Sequence, residues 1–131
     1  MFKPCAVIPT CNHVSALPAI IERLHALGLT VWLVDDGSNP EPAAVLDQLA
    51  AANPQLRLLR HASNQGKGAA VINGLKAAAA AGFTHALQVD ADGQHDLADA
   101  PALLAAAAAK PAAMVTGIPR YDASVPRHRY Y

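Results

Sequence analysis

The stretch TVWLVDDGSNPEPAAVLDQLAAANPQLRLL, residues 30–59, holds the pattern that decides the fold. It begins with a short β-branched and apolar run over 30–34 and breaks at Asp35-Asp36-Gly37-Ser38. A helix-favouring segment follows over 41–52, opened by Pro40 and Pro42, and a second apolar run closes the stretch over 56–59. Proline suits the first turn of a helix, where its missing N–H has no intrahelical partner to lose. A short strand, a helix and another short strand make one right-handed crossover unit, whose strands run parallel.

The same alternation extends in both directions. Upstream, 5–8 reads as a strand and 15–27 as a helix with Leu17, Ile20, Ile21, Leu24 and Leu27 on one face, closed by Gly28. Downstream, 64–68 is a turn, the alanine-rich 69–81 favours helix and Gly82 ends it. A strand over 86–89 runs into Asp90, a helix is expected over 97–109, and a strand over 113–116 precedes Gly117. The fold class expected is α/β: a Rossmann-like three-layer sandwich with a mainly parallel sheet covered on both faces. The domain is expected to occupy 1–117, with a tail over 118–131.

At 131 residues the chain is one domain's worth of protein. Ten basic side chains balance ten acidic ones, so no global field draws in nucleic acid, and none is expected as a partner. Cys5 and Cys11 stand without a His or Cys cluster, which is not zinc spacing and fits a reduced, cytoplasmic setting. Residues 1–20 do not read as a signal peptide, and no uncharged apolar run reaches the roughly 18 residues of a membrane span. After Gly117, however, Arg120, Arg127 and Arg129 face only Asp122, leaving net +2, and all three tyrosines lie there. Such an ending suits phosphate, lipid head groups or a further part of the protein, and equally suits a frayed terminus.

In an open α/β sheet, ligands bind beyond the carboxyl ends of the strands. Four polar segments fall there: Pro9-Thr10-Cys11-Asn12, Asp35-Asp36-Gly37-Ser38, Asn64-Gln65-Gly66-Lys67-Gly68 and Asp90-Ala91-Asp92-Gly93-Gln94. In the last, carboxylates one residue apart can share a hard cation, Mg²⁺ or Mn²⁺, that keeps positions open for diphosphate oxygens. Asp90 and Asp92 are its expected ligands, with Gln94 as a further oxygen donor. The triplet alone is equally an acidic turn before the helix near Leu97, and His95 beside it reads more readily as a bystander.

Asp35 and Asp36 offer acceptors for a base N–H or a ribose hydroxyl, because an adjacent acidic pair repels itself unless something binds there. An ordinary Asp-Gly turn would account for one of the two. Gly66-Lys67-Gly68 opens a helix and offers N–H groups and a lysine to an anion, yet two glycines easing a turn explain it as well. It matches neither the Walker loop nor the G-x-G-x-x-G fingerprint.

Taken in order, VIPTCN, LVDDGS, NQGKGAAVINGL and LQVDADGQHD resemble the motifs of family 2 glycosyltransferases of the GT-A fold over nearly the whole chain. The likeness is strongest to the dolichyl-phosphate mannosyltransferase-like branch and related bacterial lipid-linked enzymes, whose acidic triplet is also followed by Gln-His. The resemblance implies that Pro9 and Asn12 lie in the first loop lining the nucleotide and that Asp35 and Asp36 contact base or ribose. It implies a metal held by Asp90, Asp92 and Gln94, a phosphate or base-pocket contact at Lys67, and a phosphate contact at Arg120. Cys11 departs from the aromatic residue of many relatives.

The family's acceptor-binding half, which carries a general base in many inverting members, is missing here. Asp96 and Asp99 read as first-turn helix residues and Asp122 lies in the tail, so no general base is identified. A lipid phosphate, ionised at neutral pH, would need none. The function expected is inverting, metal-assisted transfer of a sugar from a UDP- or GDP-linked donor to a lipid-phosphate or glycan acceptor. The location expected is the cytoplasm, at the inner face of the membrane, which the full-length protein would touch peripherally. The alternatives are a truncated, non-catalytic nucleotide-sugar-binding module and a haloacid-dehalogenase-like phosphatase with Asp90 as nucleophile, which lacks the usual Thr at Gln94.

Overall fold

The computed structural model describes residues 2–91 and Ala105. The helix expected over 97–109, apart from Ala105, lies outside them, as do the strand over 113–116 and the basic tail. Seven elements alternate: β1 (Pro4–Thr10), α1 (Leu17–Ala26), β2 (Thr30–Asp36), α2 (Pro40–Ala52), β3 (Leu56–His61), α3 (Lys67–Ala80) and β4 (His85–Gln88). All strand pairs are parallel and the sheet order is β3-β2-β1-β4.

Side chains alternate across a strand, so each strand feeds two cores. Ala6, Ile8, Val31 and Leu33 join Leu17, Ile20, Ile21 and Leu24 of α1 and Leu46 of α2 on one face. Cys5, Val7, Trp32 and Val34 join Ala70 and Ala78 of α3 on the other. Helices thus cover both faces, the three-layer arrangement of a Rossmann-like fold.

Local chemistry explains the boundaries. Helix α1 starts at Leu17 rather than 15, with Pro18 in the first turn, and Gly28 follows it at φ +79°. That left-handed conformation has no steric cost for glycine. Helix α3 starts earlier than 69 and takes Lys67 and Gly68 into its first turn. Its buried residues Ala70, Gly74 and Ala78 recur every fourth position, and a Cβ on Gly74 would stand 2.7 Å from Val7 Cγ1. Small residues let this helix lie close upon β1 and β2.

The strand order decides where a ligand can enter. The chain moves outward from β1 through β2 to β3, then crosses to the other side of β1 to form β4. In open parallel sheets such a reversal, here between β1 and β4, is where ligands bind, beyond the carboxyl ends of the strands.

Candidate functional site

The expectation that an adjacent acidic pair needs an external ligand is corrected by the register of β2 on β3. Asp35 and Asp36 are the last residues of β2, and they stand opposite Arg60 and His61. Being neighbours on a strand, they point to opposite faces. On the α2 side Arg60 Nε donates to Asp35 Oδ2 at 2.8 Å, while the same guanidinium reaches Asp47 Oδ1 and the Ala43 carbonyl. On the α3 side His61 Nδ1 lies 2.8 Å from Asp36 Oδ1, and Asn73 Nδ2 lies 2.9 Å from His61 Nε2. With Asn73 as donor, the ring proton sits on Nδ1 and is given to Asp36. Internal partners, split across the sheet, meet both carboxylates.

Both aspartates are buried, at 1% and 3% exposure. Burial alone would raise their pKa values, but hydrogen bonds outweigh it. Ser38 and Arg60 hold Asp35 below its ordinary value, and the Gln65 and Gly66 N–H groups with His61 hold Asp36 below its own. Arg60 and His61 were not singled out from the sequence. The signal was a basic pair ending β3, in direct register with the acidic pair ending β2.

The turn over 64–68 is likewise partly occupied from within. Gln65 N–H donates to Asp36 Oδ1 at 2.8 Å and Gly66 N–H to Asp36 Oδ2 at 2.9 Å. The anion these two groups bind is therefore the protein's own, and of the N–H groups expected over Gly66-Lys67-Gly68 for a foreign anion, that of Gly66 is already taken. Gly37, at φ +76°, sits so close to this turn that a Cβ would meet Asn64 N and lie 2.7 Å from Ser63 C.

The first loop is shorter than expected. Pro9 is buried inside β1, not in the loop. Val7 O accepts from Val89 N–H on the β4 side, and residues two apart face the same neighbour. The absent N–H of Pro9 thus falls beyond Val7↔Gln88, the last register pair, and leaves no gap in the ladder. Asn12, at φ +66°, donates its N–H to Ser38 Oγ at 2.9 Å and accepts from Asn39 N–H at 2.8 Å through Oδ1. Asn64 Nδ2 lies 3.3 Å from both Cys11 Sγ and the Asp36 carbonyl oxygen. The loops after β1, β2 and β3 therefore form one bonded rim.

The fourth loop joins that rim through charge. Lys67 Nζ lies 2.7 Å from Asp90 Oδ1, with the aspartate side chain 10% exposed and the lysine 41%. Asp90 stands just past β4, at the sheet's reversal point, so the structure brings together two residues singled out separately from the sequence. Among the described residues no cluster of three or more His, Cys, Asp or Glu could hold a metal. Asp92, Gln94, His95 and Arg120 lie outside them. What is described fits a cation: a largely buried carboxylate at a strand end, already facing positive charge.

Residues 5–131 match the family model described as glycosyl transferase family 2. The chain belongs to this family. Polyprenol monophosphomannose synthase of Mycolicibacterium smegmatis is 34% identical over 96 residues, covering 71% of this chain and 36% of that protein. Undecaprenyl-phosphate mannosyltransferase of Micrococcus luteus is 32% identical over 102 residues, covering 76% of this chain and 42% of the relative. The family 2 chain thus spans less than half the length of either. A mannosyltransferase from Pyrobaculum calidifontis, solved in complex with GDP-Man and Mn²⁺, shares the fold with a TM-score of 0.59. It is 21% identical, and the match covers 69% of this chain and 27% of that one. Family membership sets aside the phosphatase reading of Asp90.

Proposed function

We propose that this chain is the donor-binding part of a transferase that moves a mannose-like sugar from a GDP- or UDP-linked donor to a lipid-phosphate acceptor. The observation that carries the reading is the Asp90 carboxylate, largely buried and paired with Lys67 where the strand order reverses. The names of the two mannosyl-transferring relatives support the sugar and the acceptor class, and the neighbour's bound GDP-Man and Mn²⁺ support donor and metal. A glycan acceptor is the other class the family resemblance allows.

In this reading Asp90, Asp92 and Gln94 hold Mg²⁺ or Mn²⁺, which neutralises charge on the departing nucleoside diphosphate. Pro9 and Asn12 shape the nucleotide side of the site. Asp35 and Asp36 serve base and ribose by fixing the loops around them, since their own oxygens already accept bonds from Ser38, Arg60, His61, Gln65 and Gly66. Lys67 meets a donor phosphate and Arg120 a second phosphate group. A lipid phosphate attacks as an anion, so positioning and leaving-group stabilisation carry the reaction without a general base. Among the described residues no helix is long and apolar enough to cross a membrane. Peripheral attachment at a cytoplasmic membrane face, with the basic, tyrosine-bearing tail over 118–131 leading to the acceptor side, completes the proposal.

A second reading, a donor-binding module without turnover, draws on the short span of the chain relative to its relatives. One experiment serves both. GDP and UDP are titrated with and without Mn²⁺ into the chain and an Asp92→Ala variant, and release of mannose from GDP-mannose is followed with a polyprenyl phosphate present. Metal-dependent binding lost in the variant supports the site, turnover supports the transferase, and binding without turnover supports the module. Binding indifferent to both metal and substitution overturns the assignment.

A further inference from the structure

We propose that His61 is a positioning residue for the donor site: its Nδ1–H, with Asn73 behind the ring, locks the Asp36 carboxylate and thereby fixes the 64–66 turn at the rim. The proposal rests on reading the strand-end loops as a site for a nucleotide donor, and it adds the residue that sets one of those loops.

The geometry of one carboxylate carries the argument. Asp36 Oδ1 accepts from Gln65 N–H at 2.8 Å and lies 2.8 Å from His61 Nδ1, while Oδ2 accepts from Gly66 N–H at 2.9 Å. Two successive backbone N–H groups held by two oxygens give the turn a single orientation, provided that the carboxylate plane does not rotate. The third donor fixes that plane. His61 supplies it from the end of β3, in register with Asp36, and its ring is held in turn by Asn73 Nδ2, 2.9 Å from the far nitrogen Nε2. The His61 and Asp36 side chains are only 9% and 5% exposed, so water is a poor substitute for the bond between them.

The turn so fixed holds neighbouring loops. Asn64 Nδ2 lies 3.3 Å from both Cys11 Sγ after β1 and the Asp36 carbonyl oxygen at the end of β2. Gly37 packs directly on the Ser63-Asn64 backbone. At the other end of the turn the Gly66 carbonyl accepts the Ala70 N–H, an opening bond of α3, and Lys67 follows at once. A turn released from Asp36 would part from the loops after β1 and β2 and would free the start of α3. His61 itself meets no part of the donor in this reading and acts through Asp36 alone.

The test compares two amide side chains at this position. The amide nitrogen of asparagine is bonded to Cγ, as Nδ1 of histidine is, whereas that of glutamine lies one atom further out, nearer to the place of Nε2. His61→Asn therefore keeps a donor for Asp36 and His61→Gln does not, although glutamine is closer to histidine in volume. Hydrogen exchange of the Gln65 and Gly66 amides is followed in the full 131-residue chain, and GDP and UDP are titrated by calorimetry with Mn²⁺ present. His61→Gln is expected to speed exchange at both amides and to weaken nucleotide binding about tenfold, the lower end of what one hydrogen bond to a charged group contributes. His61→Asn should stay within about threefold of wild type in both measurements. A further measurement needs no variant: ring ¹⁵N spectra of wild type at mildly alkaline pH should place the proton on Nδ1 and leave Nε2 bare.

Glutamine serving as well as asparagine would mean that His61 only fills space, and it overturns the proposal; so does a proton found on Nε2. If wild type binds nucleotide and His61→Gln frees the two amides without weakening that binding, the proposal falls and the donor site stands. If wild type binds neither GDP nor UDP, the donor-site reading falls and takes the proposal with it.

Discussion

Lys67 Nζ and Asp90 Oδ1, 2.7 Å apart, join the first turn of α3 to the end of β4. The contact stands beside β1, where the strand order reverses, and pairs a half-exposed cation with a largely buried carboxylate. Asp90→Asn keeps the side chain's shape and removes its charge. Mn²⁺-dependent GDP binding is expected to weaken at least about tenfold, as for loss of a ligand to a hard cation. The melting temperature of the apo chain should move little, because Asn keeps the side chain's volume and the lysine side chain is already 41% exposed. Calorimetry and thermal unfolding on the same samples check the two halves of this prediction.

Asp36 holds a different kind of contact. Its carboxylate accepts from Gln65 N–H, Gly66 N–H and His61, all near or within the rim. Asp36→Ala leaves those donors without their acceptor, and a loss of about 2–4 kcal/mol is expected from urea unfolding. The same network sets a pH dependence. Asp35 and Asp36 are held below the ordinary 3.8 in the folded chain, so they stabilise it above that value. This contribution fades as pH falls through 3.8 towards the folded pKa values, and a pH series of unfolding midpoints should flatten below pH 5 in Asp36→Asn.

Gly37 and Gly66 make a matched pair, since both have positive φ but different surroundings. A Cβ on Gly37 would run into the backbone of Asn64 and Ser63, whereas one on Gly66 would meet nothing within 4 Å. Gly66→Ala is expected to cost only backbone strain, about 1–2 kcal/mol. Gly37→Ala adds a backbone clash and should cost more, about 3 kcal/mol or above, while also weakening nucleotide binding by parting two loops of the rim. Equal costs in chemical unfolding would show that loop packing at Gly37 contributes nothing.

Within α3, Gly74 and Gly68 should respond with opposite signs. Alanine favours a helix over glycine by about 1 kcal/mol. At Gly68 the Cβ would enter open space, so Gly68→Ala is expected to stabilise by up to that amount. At Gly74 it would press on Val7 Cγ1 at 2.7 Å and Val34 Cγ2 at 3.0 Å. Gly74→Ala should therefore destabilise by about 1–3 kcal/mol despite its better propensity, because the helix must lift from the sheet. Denaturant midpoints of the two variants on either side of wild type would match this account.

Much of this protein is legible along its chain. Short apolar runs over 5–8, 30–34, 56–59 and 86–89, separated by helical periodicity, correspond to β1 to β4, because a strand or a helix buries its side chains with a period that local sequence must match. Gly28 and Gly82 mark helix ends for an equally local reason, both taking positive φ. The order β3-β2-β1-β4 has no such local cause. It depends on which strand edges meet after each crossover, and it alone sets β4 beside β1 with the order reversing between them. The acidic pair shows the same division. Side by side in sequence, Asp35 and Asp36 read as mutual repulsion awaiting a ligand; in the sheet, a strand's two-residue period turns them to opposite faces and parallel register sets Arg60 and His61 against them. Charge and polarity at the strand ends were properties of the chain itself, but which charges would meet, as Lys67 meets Asp90, was decided only when distant strand ends were brought onto one edge.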